Sequence, residues 1–131
     1  MSDEIPLLER MKASMTDEAI SLFKHRQQTK GARTVTISYH AQQEMAADNI
    51  TAKLLIDCMA ANPELIEFHW EYPHKKSKGV FLCEPGQFQP FHVVCNVEDD
   101  AVFVVTAYVV TPDKYRDDNK TRQPRSNKKH L

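Results

Sequence analysis

Four side chains in the second half of the chain are of types that move protons or orient a phosphate: His92, Asn96, Thr106 and Tyr108. In Phe91-His92-Val93-Val94-Cys95-Asn96, alternation at a period of two puts His92 and Asn96 on one face. In the next stretch Thr106 and Tyr108 share a face with Val102 and Val104. A three-residue turn at Glu98-Asp99-Asp100 sets His92 opposite Thr106, with Tyr108 beside them. A two-residue turn pairs Val93 with Thr106 and sends His92 to the other side. The three-residue turn is the expectation, since it leaves Phe91, Val93, Cys95, Phe103 and Val105 for the core. Histidine exchanges a proton near neutral pH, and Tyr and Thr hydroxyls steady developing charge. A cross-strand His–Thr pair of modest stabilising value explains the same residues, and that alternative stays open.

A second histidine stands in Ile37-Ser38-Tyr39-His40-Ala41-Gln42-Gln43-Glu44-Met45, where strand-like residues give way to a helical pattern. It either does chemistry or turns a corner. Further on, His74-Lys75-Lys76-Ser77-Lys78 places lysines near Trp70 and Tyr72, which suits a phosphate backbone with unpaired bases. Lysines between strands also simply keep an edge soluble. Lys75, Lys76, Lys78 and Trp70, with Lys114 in the basic end, form the candidate nucleic-acid-binding set. His69, His74, His92, Cys83 and Cys95 do not repeat zinc-site spacings, so no metal is expected. With 3 glycines there is no phosphate-cradling loop, and no cofactor is expected.

The elements that must position these residues follow from periodicity. Asp3 to Gln28 is helical in pattern, and Ser14-Met15-Thr16-Asp17 has the form of a capping box, which predicts a break near Ser14. Arg33–Ser38 reads as a short strand rich in β-branched residues. Ser38 caps a helix over Tyr39–Asp48, ended at Asp48-Asn49, and Thr51 caps another that Asn62-Pro63 stops after Ala61. Four strands follow, over Glu64–Trp70, Gly79–Glu84, Pro90–Val97 and Ala101–Val110. The predicted class is α+β: N-terminal helices, then an antiparallel sheet of four to five strands with two helices packed on one face.

A chain of 131 residues with 41% hydrophobic and 27% charged residues has the composition of a globular domain. No run reaches the ~20 apolar residues of a membrane span, and the acidic start lacks the layout of a secretory signal. Three cysteines without a C-x-x-C pair behave as free thiols, so a cytoplasmic location is expected. The net charge of −1 hides an asymmetry, because residues 112–131 carry 7 Lys and Arg against 3 Asp and Glu. Such an end can be an arm for nucleic acid or an acidic partner, or a solvated, disordered tail. The organisation expected is a helical extension over 1–31, an α+β domain over 32–115 and a basic, disordered tail over 116–131.

In order along the chain, His40-Ala41-x-x-x-Met45, the helix start Asn49-Ile50-Thr51, His92-Val93-Val94 and Thr106-Ala107-Tyr108 resemble domain-of-unknown-function family 4258. That family is grouped with the RelE/ParE and BrnT toxins of bacterial toxin–antitoxin pairs. The resemblance covers about Thr34 to Tyr115. It implies a RelE-like sheet with helices on one face, and a metal-independent endoribonuclease, a hydrolase of messenger RNA restrained by an antitoxin protein. Carried over by position, His40, His92, Thr106 and Tyr108 are its catalytic candidates. One histidine would be general base on the ribose 2′-hydroxyl, and the other, or Tyr108, general acid. The alternative is a non-catalytic protein-interaction module that kept the fold and lost the nuclease.

Overall fold

The computed structural model describes residues 6–29, 31–71, 76–98, 100–111 and 120. One long helix, α1 (Leu7–Gln28), leads to strand β1 (Val35–Ile37), helices α2 (Tyr39–Ala47) and α3 (Ala52–Ala61), and four further strands. These are β2 (Glu64–Glu71), β3 (Lys76–Cys83), β4 (Phe91–Glu98) and β5 (Ala101–Val109). The α+β class and the helix-then-sheet order are as the periodicities predict.

Helix ends follow the capping chemistry. The Ser38 hydroxyl accepts the Ala41 N–H at 3.0 Å, and the Thr51 hydroxyl accepts that of Leu54 at 3.0 Å. At the other end of α2, Asn49 takes φ +62°, and Ile50 N–H returns to the Met45 carbonyl at 2.8 Å. That six-to-one closure lets buried Ile50 follow the helix directly into the core. The expected break at Ser14 is absent, because α1 runs unbroken through it. Met15, Ala19 and Phe23, four residues apart, are buried as one stripe that holds the helix straight through the local capping pattern.

The sheet order is β1-β5-β4-β3-β2. All pairs are antiparallel except β1 with β5, which is parallel, so the sheet is mixed rather than wholly antiparallel. The reason is the crossover: α2, α3 and three strands intervene between β1 and β5, and β1 rejoins the sheet beside β5 in β5's direction.

The core lies between the helices and one sheet face. Phe81 and Cys83 of β3, Phe91, Val93, Cys95 and Val97 of β4, and Val102, Val104 and Ala107 of β5 meet Phe23, Met45, Leu55 and Met59 of the helices. At Gly79 the helix layer comes closest to the sheet: a Cβ there would meet Leu65 Cδ1 at 2.7 Å and Met15 Cε at 2.9 Å. Among the described residues, no helix is long and apolar enough to cross a membrane.

Candidate functional site

The register of β4 and β5 decides which polar side chains meet. Glu98 pairs with Ala101, so the turn has two residues, not the three expected. Asp100 in that turn adopts φ +59°. From there Val97 faces Val102 and Cys95 faces Val104, but Val94 faces Thr106. Val105 is therefore an extra residue on β5, a bulge that reverses the alternation beyond it. His92 consequently lies opposite Tyr108, not Thr106, while Thr106 faces Val94 on the same side. The two-residue turn, by contrast, is what overturns two core assignments. Val102 and Val104 are wholly buried against the helices, whereas Phe103 turns to the reverse face and is 39% exposed, and Val105 is only partly buried.

On that reverse face two rows cross the sheet. Glu64, Leu82, His92 and Tyr108 form one, and Glu67, Val80, Val94 and Thr106 the next. His92 Nδ1 stands 3.4 Å from the Tyr108 hydroxyl, and the rings meet edge to face with centroids 5.5 Å apart. His92 is 0% exposed, so it is a buried polar group held by a partner rather than a surface base. Asn96 follows on the same face, in a third row with His69, Lys78 and Phe103. There Lys78 and His69 are exposed. Lys78 sits within β3 rather than in a loop. Lys75 and Lys114 lie outside the described residues, as do the side chains of Trp70 and Lys76.

His40 is elsewhere. It rides on α2, whose buried Ala41 and Met45 pack into the core on the helix side of the sheet. Its side chain is 65% exposed and its Nε2 is 3.9 Å from Glu44 Oε1. The structure thus brings His92, Thr106 and Tyr108 to one face and leaves His40 on the other side.

The corner that His40 occupies is built by residues with no part in the expected chemistry. Ser38, besides capping α2, donates its hydroxyl proton to the carbonyl of Val105 at 3.1 Å, at the bulge itself. Asp48 Oδ2 accepts the Val109 N–H at 2.8 Å, tying the end of α2 to the end of β5. Both residues are legible as helix-end residues, but nothing local shows that their oxygens reach strand β5.

The remaining reactive groups are thiols. Cys58 on α3 is held below its ordinary pKa, chiefly because the Cys83 thiol bonds to it, and the same bond with burial pushes Cys83 up. Burial alone pushes Cys95 up. Cys83 Sγ also lies 3.7 Å from Met59 Sδ, so this sulfur cluster belongs to the helix–sheet interface. Among the described residues, no three His, Cys, Asp or Glu side chains are grouped to hold a metal ion.

Comparison with known proteins gives one match: the family described as "Domain of unknown function (DUF4258)", over residues 37–109. That span is more than half of the chain and runs from the end of β1 to the end of β5. The chain belongs to the DUF4258 family. The DUF4258 region thus contains both the His40 corner and the His92–Tyr108 row, whereas α1 precedes it. No curated protein and no solved structure matches the chain.

Proposed function

We propose that this DUF4258 protein is a non-catalytic interaction module that binds a partner protein and retains the fold without a working nuclease centre. The separation of the two histidines, with the one beside Tyr108 wholly buried, carries this reading. A metal-free acid–base mechanism needs both proton-transfer groups within hydrogen-bond reach of one substrate. Here His40 is exposed on the helix side, and His92 is wholly buried on the reverse face with Tyr108 beside its ring. Leu7 and Leu8, 64% and 51% exposed at the start of α1, supply apolar surface for a partner to cover.

A second reading is favoured by one observation, the gathering of His92, Tyr108 and Thr106 on a single face. It is the metal-independent ribonuclease of a cytoplasmic toxin–antitoxin pair that the RelE/ParE and BrnT resemblance implies, with RNA and an antitoxin as partners. Purified chain incubated with messenger RNA and a chelator separates the two. Intact RNA, together with a bound partner protein lost on Leu7→Glu with Leu8→Glu, is the expected result. RNA cleavage that disappears in His92→Ala would instead establish the ribonuclease.

A further inference from the structure

The sheet face turned away from the helices is drier than the described elements account for. Val80, Leu82 and Val94 are 6%, 3% and 8% exposed, and His92 is 0%. The register places all four in the two adjacent rows of that face. The helices' buried residues meet the opposite face, in a core cluster to which these four do not belong. An antiparallel sheet with one packed face ordinarily leaves the other to water and shows polar residues there. Three apolar residues and a buried histidine in one block therefore indicate a cover.

One described residue of the C-terminal segment lies at the border of this face. Lys120 Nζ lies 3.1 Å from Glu64 Oε2. Glu64 is in β2, at the end of the row that continues through Leu82, His92 and Tyr108. Yet the chain leaves the sheet at β5, with β4 and β3 between it and β2. Three strand spacings amount to about 14 Å. The nine steps from Thr111 to Lys120 can span at most about 30 Å, so the chain reaches with length to spare. Charge agrees, because the segment after Thr111 has an excess of cations and the face carries Glu64 and Glu67.

We infer that the chain's own C-terminal segment, anchored by Lys120 on Glu64, is the occupant of the sheet face that bears His92 and Tyr108. This stands whether the protein binds a partner or cuts RNA. It makes the basic end an intramolecular ligand of the sheet instead of an arm directed outward.

The test uses full-length protein with methyl-labelled Val and Leu. Nuclear Overhauser contacts from residues 112–131 to the methyls of Val80, Leu82 and Val94 are expected within one molecule. Their absence overturns the inference, as do contacts that arise only between differently labelled copies. Acylation of histidines by diethyl pyrocarbonate gives a second readout, with exposed His40 as internal standard. In Lys120→Glu, His92 is expected to react about two- to fivefold faster, the scale of one exposed ion pair. Adding Glu64→Lys should restore protection. A rate unchanged in Lys120→Glu, or His92 as reactive as His40 in the wild type, overturns the anchoring role.

Discussion

The two faces of the sheet obey different rules. Toward the helices, every central position of β3, β4 and β5 is apolar and buried, and identity follows from burial alone. On the reverse face, a buried histidine, three buried apolar residues, an exposed phenylalanine and exposed Lys78 and His69 stand within a few strands of each other. The first face is a core, specified by volume. The second is a surface in which position along the strand decides between cover and solvent. A histidine there is not evidence of chemistry until its exposure is known, and His92 is fully enclosed.

The largest test of this contrast is a pair of truncations. Phe81→Ala on the helix face should cost about 3–5 kcal/mol in urea unfolding. Phe103→Ala on the reverse face should stay within about 0.5 kcal/mol, as an exposed position does. Equal costs would erase the distinction. Next comes Gly79→Ala, which places a methyl where Leu65 and Met15 already sit. A loss of about 1–3 kcal/mol is expected, at the low end if those flexible side-chain ends give way. On the reverse face, Tyr108→Phe removes the hydroxyl beside His92 Nδ1 and should cost about 0.5–1.5 kcal/mol. A neutral result would show that the hydroxyl adds nothing to the ring contact.

Much of the fold was legible in local chemistry. Ser38 and Thr51 cap as their types suggest, Asn49 takes the left-handed position, and Phe91, Val93 and Cys95 point into the core. What sequence periodicity could not show is the bulge at Val105. Alternation assumes an unbroken ladder, whereas the bulge carbonyl is bonded by Ser38, 67 positions earlier in the chain. The two-residue turn and the bulge residue offset one another. His92 therefore stays on the face of Thr106 and Tyr108 although its partner is not the expected one. The shorter turn by itself exchanges Phe103 and Val105 for Val102 and Val104 in the core. The burial of His92 was also hidden, since alternation gives the face a residue takes and not whether that face is covered. So was the parallel pairing of β1, which depends on where the chain returns.

The smallest predicted effect concerns how α1 is fastened. Gln27 Nε2 donates to Asp57 Oδ1 at 2.9 Å, and Lys53 donates to Oδ2 at 2.7 Å. Lys53 first, then Gln27, holds the Asp57 carboxyl below the ordinary carboxylate value. A depressed folded value means the contribution is present above about pH 4 and is lost as the pH falls through the folded value. Because the group is exposed, Gln27→Ala should cost no more than about 0.5 kcal/mol at pH 7, and less still at pH 3.

The central claim is that His40 and His92 lie on opposite sides of the sheet and do not act together. A double-mutant cycle in urea unfolding tests it most directly, using His40→Ala, His92→Ala and the combined variant. His92→Ala should carry nearly all of the cost, and the two effects should add to within about 0.5 kcal/mol. A coupling of about 1 kcal/mol or more would place the two histidines in one site and contradict the account.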